Sequence, residues 1–295
     1  MSLYLSSFSF PDQTQEDDLL FQEAISPRVL DRASTYPFHI LSKVKLEEIH
    51  FSPITLLSGE NGVGKSTALK IISSKLHASH SPYFEGRYLS LYLDLCDYSL
   101  EKVPTKVAYL SSNDVFAALE KDRDLDLEVE KKRREARDEY QTIGRETTFR
   151  EALDRFNDGD PSLLEKKVEL KKKTESRYVR ESAERNVEEK SNGEKALEFW
   201  EGKIEENALY LLDEPENSLS PLHQEDLAQF IEDSVRFYSC QFIISSHSPF
   251  FLSLKGGNVI DLDDPLHHEK KWTDLPNMKA YREFFLSREE EFKGK

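Results

Sequence analysis

The run PITLLSGENGVGKSTALKIISSKL, Pro53 to Leu76, constrains this chain more than any other. A short apolar stretch gives way to a loop with three glycines in six positions. Beyond the loop, Ala68, Leu69, Ile71 and Ile72 recur at helical spacing. Strand, glycine loop and helix in that order imply a parallel α/β body, because the loop crosses from a sheet edge into a helix packed on its face. Gly59 to Ser66 fits G-x-x-x-x-G-K-[ST]. In that pattern glycines let backbone amides close around phosphates, the lysine reaches the outer phosphates and the hydroxyl ligates Mg²⁺. Lys65 and Ser66 take those two roles. Gly59, Asn61, Gly62, Gly64 and Thr67 complete the candidate nucleotide-binding set.

A second stretch, ALYLLDEPENSLSP, ends an apolar run in two adjacent carboxylates and a proline, Asp213, Glu214 and Pro215. Buried charge costs several kcal/mol unless it is paired, metal-bound or at an exit from the core. A nucleotide-bound Mg²⁺ sits at the carboxyl ends of parallel strands, beside the glycine loop. Asp213 is placed to hold that metal's shell, and Glu214 to polarise an attacking water. His247 ends another apolar run, FIISSH, 34 residues after Asp213, where a ring can reach the terminal phosphate. Ser191 and Gly193, in KSNGEKALEFW, open a helix whose free amides favour an anion.

Further strands are expected at YLSSFSF, VKLEEIHF, RYLSLYLDLCDY, KVAYLSS and GNVIDLDD. The first two read as a half-buried antiparallel layer. A helix is expected from Pro221 to about Phe237, and a surface helix in MKAYREFFLSREEEF. From Lys121 to Lys190 the texture changes, with 39 of 70 residues charged, 20 acidic and 19 basic. Thr148 and Glu151 stand in capping-box spacing, and Phe149, Leu153 and Phe156 share one helical face. Asp160 and Pro161 read as the cap and first residue of another helix. The expected organisation is an N-terminal lobe over 1–118, a charged helical insertion over 119–190 and a C-terminal lobe over 191–295.

The formal charge of −16 disfavours nucleic acid and anionic lipid except where bases cluster, as in Lys131–Arg134 and Lys171–Lys173. Salt-bridged, solvated helices account for those clusters equally well. Two cysteines, Cys96 and Cys240, read as buried free thiols in strand-like contexts. No apolar run nears the ~20 residues of a membrane span. The N-terminus lacks signal-peptide character. The expectation is a cytoplasmic protein.

These four motifs, in this order, resemble the ATP-binding-cassette ATPases. More narrowly they resemble the stand-alone bacterial members called AAA-family proteins, relatives of SMC and recombination-repair ATPase heads. The resemblance implies a mostly parallel core sheet, an antiparallel β layer and a helical insertion. It implies ATP and Mg²⁺ as cofactors, with Ser66 and Asp213 serving the metal. Glu214 would be the catalytic base, His247 the switch histidine and Lys65 the phosphate lysine. Ser191, Asn192, Gly193 and Glu194 would form a signature loop touching ATP on a second subunit. Glu216 to Ser220 would be the loop where the subunits meet. The sequence departs from the family in lacking the signature's leading Leu, second Gly and Gln. The lid-loop Gln is also missing, leaving Asn113 or Asp114 there, and Tyr36 or Phe38 would stack on adenine. The implied function is an ATP-hydrolysing switch, an ATP-dependent homodimer acting on nucleic acid or an effector protein in DNA repair or phage defence. The alternative is the nucleotide-binding subunit of an ABC transporter.

Overall fold

The computed structural model describes residues 2–22, 36–79, 88–157, 161–182, 190–267 and 269–293. The central sheet is set by the apolar runs. Strands β3 (Ile54–Ser58), β6 (Ala208–Asp213) and β7 (Gln241–Ser245) are buried at every position. Uniform burial requires cover on both faces, the condition of a parallel sheet. The six-stranded order is β5-β6-β7-β3-β8-β9, with β5 at Lys106–Ser111, β8 at Gly257–Asp261 and β9 at Glu269–Lys270. All pairings are parallel except that of β9. The fold is therefore α/β with a mostly parallel core sheet, as the motif order implied.

Register brings the strand ends into line. Ser111 pairs with Asp213, Asp213 with Ser245, Leu57 with Ser245, and Ser58 with Asp261. One row across the carboxyl edge thus gathers polar residues that are far apart in sequence.

The antiparallel layer is β2-β1-β4, comprising β1 (Leu5–Ser9), β2 (Glu48–His50) and β4 (Asp97–Leu100). Strict alternation along YLSSFSF does not hold. A register irregularity between Leu5 and Ser7 lets Leu5 and Phe8, three residues apart, both bury fully. Gln241, itself fully buried, ties this layer to the core sheet. Its Oε1 accepts from the Tyr4 and Leu5 amides, and its Nε2 donates to the Leu5 and Ser52 carbonyls.

The expected strand at RYLSLYLDLCDY is instead mostly helix. Helix α1 spans Gln13–Gln22, α2 Lys65–Lys75 and α3 Leu89–Leu95, with β4 following α3. Tyr92, Leu93 and Cys96 all pack on the core, whereas a strand would send the adjacent Tyr92 and Leu93 to opposite faces. Cys96 therefore caps a helix. Both cysteines are buried and free.

Helix α4 (Ser112–Glu139) leads out of this body. The chain divides into two compact units, Met1–Phe116 with Gly193–Lys295, and Ala117–Asn192. The smaller unit continues through a π-helical turn at Tyr140–Glu146 into α5 (Phe149–Asn157), α6 (Ser162–Lys171) and α7 (Glu175–Glu181). The capping box is formed: the Glu151 carboxylate accepts from the Thr148 amide and hydroxyl, and the Thr148 hydroxyl from the Glu151 amide. Phe149, Leu153 and Phe156 are each about half exposed. Pro161 is the cap of α6, not its first residue, and Asp160 lies outside the described residues.

The larger unit resumes with α8 (Asn192–Lys203), α9 (Pro221–Phe237), α10 (Pro249–Leu252), α11 (Pro276–Ser287) and α12 (Glu289–Phe292). Among the described residues no helix is long and apolar enough to cross a membrane.

Candidate functional site

The glycine loop runs from the end of β3 into α2. Gly59 and Gly64 have φ of 146° and 115°, values that side-chained residues rarely adopt. A Cβ on Gly64 would lie 2.8 Å from Leu41 Cδ2, so space and conformation both demand glycine there. Asn61 and Gly62 are exposed at the crest. Lys65 is buried and folds back, its Nζ donating to the carbonyls of Gly59 (2.8 Å) and Glu60 (3.1 Å). Burial pulls the Lys65 pKa down, opposed by the carboxylates of Glu214, Asp263, Glu216 and Asp213. Those groups share one electrostatic neighbourhood.

Ser66 Oγ donates to Asp213 Oδ1 at 2.8 Å, so the two metal candidates touch. Asp213 is 7% exposed and takes two further hydroxyls, Ser245 Oγ on Oδ1 (2.5 Å) and Tyr109 Oη on Oδ2 (2.7 Å). A hydroxyl and a carboxylate are hard oxygen donors. They suit Mg²⁺, which binds few protein ligands and completes its shell with water and phosphate.

Glu214 occupies the left-handed region, with φ 48° and ψ 55°. Such a conformation costs on the order of 1–3 kcal/mol in a residue with a side chain and persists only where its surroundings impose it. Here the Glu214 amide donates to Ser245 O and Ser245 Oγ, both at 3.1 Å. Asn217 Nδ2 donates to Glu214 Oε2 at 2.8 Å. His247 follows β7, and its amide donates to Glu216 Oε1 at 2.6 Å. Burial and then the Lys65 charge push the His247 pKa down, with Glu214 and Asp263 opposing. Its Nε2 is buried with no hydrogen-bond partner among the described residues.

Gly193 lies in the first turn of α8. A Cβ there would sit 2.7 Å from His223 Nδ1, so glycine lets α8 approach the start of α9. Ser191 immediately precedes α8. No lid loop separates β5 from α4, since Ser111 ends the strand and Ser112 begins the helix. Asp114 is engaged in that junction, its Oδ2 accepting from the Ser111 amide and hydroxyl at 2.7 Å each, while Asn113 is exposed. Phe38 is 4% exposed and packs edge-on against Tyr92, which makes it core. Tyr36 instead reaches α2, its hydroxyl bonding Thr67 Oγ1 at 3.3 Å.

Three residues at the site escape sequence reasoning. Tyr109 meets Asp213 only through strand register. Ser245 is signalled by the hydroxyls that end an all-apolar run. Asp263 lies beyond β8, and its Oδ2 accepts from the Glu60 amide at 2.8 Å.

Residues 177–252 match the family described as AAA ATPase domain. The match includes Ser191, Gly193, Asp213, Glu214 and His247. No curated protein matches this chain. Among solved structures, a similar chain comes from the Smc head domain with an extended coiled coil, bound to the C-terminal domain of ScpA, from Pyrococcus furiosus. It is 14% identical, with 82% of this chain and 95% of that chain covered, and the TM-score is 0.35.

Proposed function

We propose that this chain, which carries an AAA-type ATPase domain on an ABC-like α/β fold, binds and hydrolyses ATP as a molecular switch. The observation that carries the reading is the 2.8 Å contact between Ser66 and Asp213, with Glu214 and His247 adjoining. Two distant motifs become one oxygen site at the mouth of the glycine loop. Loop amides and Lys65 receive the phosphates. Ser66 and Asp213 hold Mg²⁺, which supplies charge neutralisation to the phosphoryl oxygens. Glu214 orients and polarises the attacking water. His247, with its pKa held down and Nε2 available, hydrogen-bonds beside the terminal phosphate as a neutral ring. Tyr36, over Thr67, is the side chain we assign to the base of the nucleotide.

In this reading two copies close around two ATP molecules. Ser191 and Gly193 of each complete the other's site, giving a C₂ interface. The target we favour is an effector protein. The basic clusters are engaged along their own helices: Lys132 with Glu128 (3.6 Å), Arg133 with Glu130 (3.2 Å) and Lys173 with Glu169 (2.8 Å). Outside residues 121–190 the chain has 21 basic and 36 acidic residues, which offers little counterion-release attraction to nucleic acid.

ATP turnover and nucleotide binding test this. Lys65→Ala should abolish binding. Glu214→Gln should keep binding and lower turnover by ~10²–10⁴-fold, the scale of losing a general base. A wild-type rate in Glu214→Gln removes the base assignment.

A further inference from the structure

The short 3₁₀ turn Pro215–Ser218 lies directly after Glu214 and contacts the segment that carries His247. Two consecutive side chains on it point to different targets. Asn217 Nδ2 donates to Glu214 Oε2 at 2.8 Å, and Glu216 Oε1 accepts from the His247 amide at 2.6 Å. The same turn is braced from α9. Gln224 Nε2 donates to Leu219 O (3.0 Å) and Glu216 O (3.4 Å), while Gln224 Oε1 accepts from Ser248 Oγ at 2.7 Å. The turn and the 247–248 segment are thus cross-linked at the His247 amide and, through Gln224, at the Ser248 hydroxyl.

We infer that Glu216 and Asn217 are positioning residues for hydrolysis: one turn fixes the Glu214 carboxylate through Asn217 and the His247 backbone through Glu216. The inference rests on the roles proposed above for Glu214 and His247. A Glu side chain has three rotatable bonds, and Glu214 springs from a strained backbone position. Without the Asn217 amide its carboxylate samples several rotamers, of which one faces the water. Small misplacements of a reacting group carry large rate penalties. Neither residue needs to touch nucleotide for this role. The loss should therefore fall on turnover and spare ground-state binding, the signature of an interaction realised in the transition state.

The test is steady-state ATP hydrolysis by the full chain, alongside titration with a fluorescent ATP analogue in the presence of Mg²⁺. Asn217→Ala and Glu216→Ala should each lower kcat by roughly 10–100-fold, the scale of one hydrogen bond to a charged group, with analogue affinity unchanged. Glu216→Gln, whose amide oxygen still accepts from the His247 amide, should recover most of what Glu216→Ala loses. In a Glu214→Gln background, Asn217→Ala should lower the residual rate no further. Asn217 is exposed, so its replacement leaves the fold intact. Wild-type kcat in Asn217→Ala, with Glu214→Gln inactive, overturns the positioning role and leaves the base assignment standing. Loss of affinity in parallel with kcat also overturns it, pointing to a binding role. Wild-type turnover in Glu214→Gln removes the base, and the positioning role with it.

Discussion

Removing one oxygen, by Tyr109→Phe, tests how the site holds a charge in the core. The Asp213 carboxylate is nearly buried, and its three side-chain donors are unequally shared. Ser66 and Ser245 both serve Oδ1, whereas Tyr109 serves Oδ2 at 2.7 Å. Phenylalanine keeps the ring packing of a residue that is 2% exposed and deletes only that donor. A hydrogen bond to a charged group contributes about 1.5–3 kcal/mol, against 0.5–1.5 for a neutral pair. With a urea m-value near the upper end of the usual range, about 3 kcal/mol/M, the unfolding midpoint should fall by on the order of 0.5–1 M. In an Asp213→Asn background the same substitution should cost under about 1.5 kcal/mol, since the partner is then neutral. The assay is urea unfolding of nucleotide-free protein near neutral pH, followed by tryptophan fluorescence. If Tyr109→Phe unfolds at the wild-type midpoint, the Tyr109 hydroxyl does not support the Asp213 charge.

Glu16 offers a test with a defined sign. It is fully buried, with one oxygen accepting from Ser42 Oγ and the His39 amide at 2.7 Å each, and burial raises its pKa above the ordinary 4.5. A raised folded pKa gives stability that is present below the ordinary value and lost as pH rises through the folded one. Urea midpoints should therefore show Glu16→Gln gaining on wild type as pH rises from the acid side of 4.5 to neutrality; a pH-independent gap would refute this. For assembly, Glu214→Gln should sediment as a dimer with ATP and Mg²⁺ and as a smaller species without them, and Ser191→Arg should block the change. A monomer at high concentration, while wild type turns over ATP, would overturn closure in trans.

Much of the site was legible because its chemistry is written locally. The glycine loop needs consecutive amides and positive φ, so Gly59 to Ser66 announces itself in eight residues. Asp213 and Glu214 end an uninterrupted apolar run, and charge at the end of such a run marks a strand leaving the core; His247 follows FII after two serines. RYLSLYLDLCDY reads as a strand because a short apolar segment suits strand and helix alike; packing of the adjacent Tyr92 and Leu93, together with Cys96, on one core face chose the helix. Tyr36 and Phe38 were indistinguishable as two aromatics beside one proline. Burial against Tyr92 assigned Phe38 to the core and left Tyr36 beside Thr67.

The sequence by itself determined the glycine loop, the polar residues at strand ends and that they lie on a parallel sheet, because strand periodicity, glycine conformational freedom and the cost of buried charge act within a few residues. Only the tertiary structure decided how those residues are held. Strand register puts Ser111, Asp213 and Ser245 in one row, and lets Tyr109, two residues back on β5, reach the same carboxylate from 136 residues before Ser245. A single turn directs Asn217 to Glu214 and Glu216 to His247. Hydrogen bonds form over about 3 Å between groups whose separation along the chain carries no signal, so these contacts arise only once the sheet has set its register.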